Sequence, residues 1–266
     1  IIETYFAGTV YAPNNYSIGG IAGYTSLGMT DSYNVGTVIG GSGQVGGLVG
    51  NLTSNGSILR AYSSGAVSGS GDVGGAVGLN QGSLQAVYWD TETSGQASAV
   101  GNNPGYSIQI NPVGGANPNP LLLSTYSDIG IGYPINSDIS TTSTAPNHIW
   151  FIFDGYTRPM LMMEYSTTIT NAHQLQLAGS TLGANYTLAN NIDMTSAFTN
   201  KADVWNTDKT AATTGSGFMP IGGPNQGAFN GNFNGQNYTV NNLYINHANG
   251  TLNDLYNYVG LFGYTV

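Results

Sequence analysis

The chain has 266 residues, 40 % of them apolar and only 6 % charged, with 40 glycines and no cysteine. That balance is not the charge-rich, core-poor composition of a disordered chain, and the lack of cysteine excludes disulfides and thiolate metal sites. A net charge of −9, with Arg60, Arg158, Lys201 and Lys209 as the only Lys or Arg residues, cannot neutralise a run of phosphates, so neither nucleic acid nor an anionic membrane surface is expected as a partner.

From the first residue the sequence repeats. Thr4–Val10, Ser32–Val38 and Ala61–Val67 are near-copies whose tyrosines, Tyr5, Tyr33 and Tyr62, stand 28 and 29 residues apart. A second block, Ile18–Gly23, Val45–Gly50 and Val73–Gly78, keeps step at 27 and 28 residues. Two anchors in register over three units predict stacked supersecondary units. Short apolar runs such as Gly36–Ile39 and Ser57–Leu59, punctuated by Gly-Ser, Asn-Gly and Gly-Gly turns, predict two or three strands per unit and no long helix. A fourth unit keeps Gly82-Ser83-Leu84 and Val87-Tyr88-Trp89, then breaks at Asp90–Gly95, which places a domain boundary after residue 96. Tyr5, Tyr33, Tyr62 and Tyr88 are expected to form one stacked ladder.

Residues 97–148 hold Pro104, Pro112, Pro118, Pro120, Pro134 and Pro146, a density that predicts loops, with a short helical turn near Leu121-Leu122-Leu123. Order is expected to return over 149–266, in Ile149–Tyr156, Thr168–Leu177, Tyr186–Met194 and Ala228–Gly235. The apolar run from Ile149 to Phe153 is far short of the roughly 20 residues that span a bilayer, so no membrane insertion is expected. Val259–Gly263 repeats the glycine block one residue shorter, so the same architecture is expected to resume. The chain opens at Ile1 inside a repeat, and joining its end to its start would nearly preserve the register. This suggests a segment of a longer array, or copies that associate end to end.

The units built on Val45-Gly46-Gly47-Leu48-Val49-Gly50, Gly56-Ser57-Ile58 and Ala61–Val67 resemble the GLUG repeat of large bacterial surface proteins. Tyr88–Gln96 is similar to the segment that closes such arrays, and Trp150–Leu161 resembles their W-x-I-x-x-G-x-x-x-P-x-L passage. Tyr186–Met194, Phe218–Gly222 and Phe233–Val240 are similar to stretches of filamentous-haemagglutinin-like exoproteins, with Asn191 where that family usually has aspartate. The resemblance implies an all-β, right-handed parallel β-helix, exported and displayed outside the cell, acting as an adhesin or building extracellular fibres. A host or matrix glycan or protein receptor is the partner it implies. The competing expectations are a purely structural filament subunit and a polysaccharide-cleaving β-helix enzyme.

Candidate sites are few, and no residue is assigned to catalysis, a cofactor or a metal. Gly41–Gly46 and Gly69–Gly74 fit G-x-G-x-x-G, but no helix is expected to follow, so turn glycines explain them better than a nucleotide. Asp90 with Glu92 and Asp154 with Glu164 are the carboxylate pairs that glycoside hydrolysis would need, although each also reads as turn chemistry. Asn191, Asp193, Asp203 and Asp208 could gather oxygens around calcium, without the spacing of a known calcium loop. His148, His173 and His247 lack metal spacing. Six Asn-x-Ser/Thr sequences, at Asn15, Asn51, Asn55, Asn185, Asn237 and Asn249, are no more than this composition yields by chance. Loop tyrosines Tyr16, Tyr106 and Tyr126 are candidates to meet sugar rings.

Overall fold

The computed structural model describes residues 1–104, 108–114, 118–127, 149–211, 215–223, 226–246 and 258–266. The chain forms two compact units, Ile1–Pro120 with Ser124–Pro134, and Leu121–Leu123 with Ile135–Val266.

The first unit is a parallel β-solenoid. Coil one holds β1 (Ile2–Phe6), β2 (Thr9–Ala12), β3 (Ser17–Gly19) and β4 (Ala22–Thr25). Coil two repeats them as β5 (Gly28–Asn34), β6 (Thr37–Gly40), β7 (Gln44–Gly46) and β8 (Val49–Leu52). Coil three repeats them as β9 (Ser57–Ser63), β10 (Val67–Ser68), β11 (Asp72–Gly74) and β12 (Val77–Asn80). β13 (Ser83–Asp90), β14 (Val100–Asn102) and β15 (Ile108–Val113) extend the stack. The four sheets run β1-β5-β9-β13-β15, β10-β6-β2, β11-β7-β3 and β14-β12-β8-β4, all parallel.

The sequence period becomes spatial register. Tyr5 faces Tyr33, Tyr33 faces Tyr62 and Tyr62 faces Tyr88. The Tyr5 and Tyr33 rings stack at 5.2 Å and those of Tyr33 and Tyr62 at 4.8 Å. Tyr88 is met edge-on by Tyr126 at 4.9 Å. Inside the coils, Val38, Val45 and Val67 pack with Ile18, while Met29, Leu48, Leu52, Ile58, Leu84 and Trp89 form a larger core.

The Gly-Gly pair is a steric requirement of this stacking. A β-carbon on Gly46 would lie 2.1 Å from the Val49 carbonyl, and one on Gly47 would lie 2.2 Å from the Gly75 carbonyl of the next coil. The glycines of the G-x-G-x-x-G stretches are squeezed in the same way: a β-carbon on Gly41 would meet Pro13 O, and one on Gly71 would meet Ser42 O at 2.2 Å. Each stretch ends in a strand, β7 or β11, and another strand, β8 or β12, follows it rather than a helix.

The sequence boundary at residue 96 falls inside this unit, because β14 and β15 pair with β12 and β13. Pro112 is accommodated since β15 is an edge strand, where a missing N–H breaks no ladder. The Tyr88–Gln96 segment turns back onto coil three: Val67 N–H donates to Ser94 O at 3.0 Å, Gln96 Nε2 to Val67 O at 2.8 Å and Thr93 Oγ1 to Ser64 O at 2.6 Å. A short helix, α1 (Leu123–Ser127), begins at the edge of the expected turn.

The first described strands of the second unit are an antiparallel pair, β16 (Trp150–Phe151) and β17 (Met160–Leu161), joined through Gly155 at φ +82°. Parallel strands follow: β18 (Thr168–Ile169), β19 (Asn185–Leu188) and β21 (Asn232–Asn234) in one sheet, β20 (Ile192–Asp193) and β22 (Val240–Asn241) in another. Between β18 and β19 lies α2 (Ala172–Leu177), whose first turn is capped by the Asn171 side chain on Gln174 N–H. Two further parallel bridges link Ile221 to Phe262 and Phe229 to Thr265. The C-terminal glycine block meets the same constraint as the N-terminal ones, for a β-carbon on Gly263 would lie 2.3 Å from Gly222 O.

Candidate functional site

Two features could carry function, one in each unit. In the first unit, β1, β2, β3 and β4 each end their sheet, so one edge of every strand in coil one is unpaired among the described residues. This coil also exposes large side chains, Tyr11 at 71 %, Tyr16 at 73 %, Tyr24 at 62 % and Leu27 at 73 %, and its Tyr5 and Val10 are half-buried whereas the residues they face one coil further on, Tyr33 and Val38, are fully buried. Open strand edges flanked by apolar groups are templates for another strand.

In the second unit a charged cluster is buried. Glu164, from the turn after β17, accepts from Leu161 N–H at 3.0 Å with Oε1 and meets His173 Nδ1 at 2.6 Å with Oε2. The other imidazole nitrogen, Nε2, lies 2.9 Å from Asp203 Oδ1. Trp205 packs edge-on against the imidazole at 5.4 Å and donates Nε1–H to Gln176 Oε1 at 2.8 Å. The fully buried Arg158 donates to the carbonyls of Lys201 and Asp203 and to Asn206 Oδ1. Burial works against a charge on His173, but the flanking carboxylates of Glu164 and Asp203 outweigh it and raise its pKa to about 10. With both ring nitrogens donating, the imidazolium has no lone pair to take up a proton. It ties α2 to two loops and serves as a structural cation.

The sequence grouped these residues differently. It paired Glu164 with Asp154, but Asp154 accepts from Leu123 N–H at 2.8 Å while Glu164 binds Leu161 and His173. Asp90 is buried rather than solvated, its Oδ1 accepting from Glu92 and Thr93 N–H in a tight turn; Glu92 is exposed. The proposed calcium set is dispersed. Asp203 belongs to the His173 cluster, and Asn191 accepts from Thr239 N–H. Asp193 and Asp208 are bound by Thr195 and Thr210, whose hydroxyl and amide hydrogen bonds hold both carboxyls below the usual range. Among the described residues no group of three or more His, Cys, Asp and Glu side chains could hold a metal ion. His148, His247, Tyr106 and Asn249 lie outside the described residues. Tyr16 is exposed, but Tyr126 is buried against Tyr88 and donates its hydroxyl to Pro120 O, so it is closed to a sugar. Among the described residues no helix is long and apolar enough to cross a membrane.

The class of protein is set by these coils: it is a parallel β-solenoid built on a short sequence repeat. No protein-family model, curated protein or solved structure matches the chain.

Proposed function

We propose that this chain is part of an exported bacterial surface or extracellular protein of the GLUG-repeat type, acting without catalysis in adhesion or fibre building. The observation that carries the reading is the in-register solenoid whose first coil leaves four strand edges open beside exposed tyrosines. Such a stack adds length one coil at a time and offers a long repetitive surface to a receptor or to further coils. The low positive charge supports a neutral glycan or protein as receptor over a polyanion.

The test immobilises the intact chain and probes neutral glycans, acidic glycans and matrix proteins for binding, with a parallel screen for glycan cleavage. Saturable binding to a glycan or matrix protein without turnover is the expected result. Release of reducing ends by the purified chain would overturn the non-catalytic reading.

A further inference from the structure

One bend recurs in every coil of the first unit. Glu3, Asp31, Arg60 and Ala86 all have left-handed backbone there, with φ of 47°, 49°, 51° and 53°. Their neighbours fix them in one column: Ile2 and Thr4 face Thr30 and Ser32, which face Leu59 and Ala61, which face Gln85 and Val87. The side chains at this bend therefore stack coil on coil, about 4.8 Å apart.

Charge along the column is satisfied in the middle and not at the top. Arg60 donates Nε–H to Asp31 Oδ1 at 2.6 Å and Nη2–H to Asp31 Oδ2 at 2.5 Å, a two-pronged pair that buries Asp31 to 2 % exposure. Arg60 also donates to Thr30 Oγ1 at 3.2 Å. The next residue up is Glu3, a second carboxylate above the first, and none of the side-chain hydrogen bonds or ion pairs among the described residues involves it. Two carboxylates over one guanidinium leave a negative charge at the open face. That face is the one where β1–β4 have unpaired edges.

We propose that this face receives a further parallel β coil whose bend carries an arginine or lysine above Glu3, repeating the Arg60–Asp31 pairing. The proposal rests on the stacked-array reading above and names the chemistry of the coil that continues it. The contact would extend the coil-on-coil interface already present between coils one and two, with charge complementarity fixing its register. The first unit of a second copy would not supply that cation, because Arg60 is the only Lys or Arg in residues 1–134 and is already paired with its own Asp31.

The test fuses a copy of Ser57–Ser83 directly ahead of Ile1, which sets the copied arginine as far before Glu3 as Arg60 stands before Ala86. A twin fusion carries Arg60→Gln in the added copy alone. Thermal midpoints are read by circular dichroism for both fusions and the parent chain, each with Glu3 and with Glu3→Gln. Both fusions should melt above the parent, the arginine form about 2 °C above the glutamine form, and that gap should close with Glu3→Gln. Equal midpoints for the two fusions with Glu3 intact would overturn the pairing while leaving the stacking reading in place. Two fusions that melt no higher than the parent would overturn the stacking reading itself, and the pairing with it. A parent chain that sediments as a tight dimer would also overturn the proposal, since a second copy would then cover the face.

Discussion

Replacing Gly47 by alanine puts the packing of the repeat to a direct test. The new β-carbon would lie 2.0 Å from Ser63 Oγ and 2.2 Å from the carbonyl oxygen of Gly75. Ser63 can rotate, but Gly75 O is main chain in the next coil and cannot. Non-bonded carbon contacts settle near 3.5 Å, so relief needs coils two and three to part by about 1 Å locally. A displacement of that size sits at the upper end of overpacking costs, about 3 kcal/mol. Gly28→Ala is the internal control, because a β-carbon there would lie 3.5 Å from Ser57 Oγ in ordinary contact, and the change should stay within about 0.5 kcal/mol. Urea unfolding followed by tyrosine and tryptophan fluorescence reads both as midpoint shifts at a common slope. A Gly47→Ala variant as stable as Gly28→Ala would show that the coils do not press together at the glycine pair.

The His173 clamp makes stability depend on pH. The imidazole titrates at its ordinary 6.5 when unfolded and at about 10 when folded, so the folded state holds a proton that the unfolded chain has lost between those values. Its contribution is therefore complete below pH 6.5 and is lost as the pH rises to about 10. His173→Gln, which strands the buried Glu164 and the half-buried Asp203, should cost about 3 kcal/mol at pH 6, and the gap to the parent should narrow toward pH 10; a gap constant in pH would refute the clamp. Ala86→Gly should raise the urea midpoint by the equivalent of about 0.5 to 1 kcal/mol, since the bend at φ 53° penalises a β-carbon by more than glycine costs in chain entropy. A lowered midpoint would place the strain elsewhere.

The first unit was legible because its signals are periodic and local. Tyr5, Tyr33 and Tyr62 recur at the coil length, so register in sequence became stacking in space. The glycine block was readable as turn chemistry, but not that its glycines press against the carbonyls of the next coil. The bend shared by Glu3, Asp31, Arg60 and Ala86 went unseen, for these four residue types have nothing in common and only the backbone angle unites them. Proline density suggested loops after residue 96, yet Pro112 lies on an edge strand where its missing N–H is harmless. The buried cluster was the least accessible feature. Glu164, His173 and Asp203 belong to no motif, and they meet only because a short helix and two irregular turns fold onto one another.

In-register coil stacking is tested most directly by cross-linking, for which a chain without cysteine is a clean background. Thr9 and Thr37 are facing residues on β2 and β6. At about 4.8 Å between strands, their α-carbons fall within disulfide range. Cysteines at 9 and 37 should oxidise rapidly to an intramolecular bridge, while cysteines at 9 and 39, offset to about 8 Å, should remain reduced. Bridging of the 9–39 pair in preference to 9–37 would contradict the register on which the whole account stands.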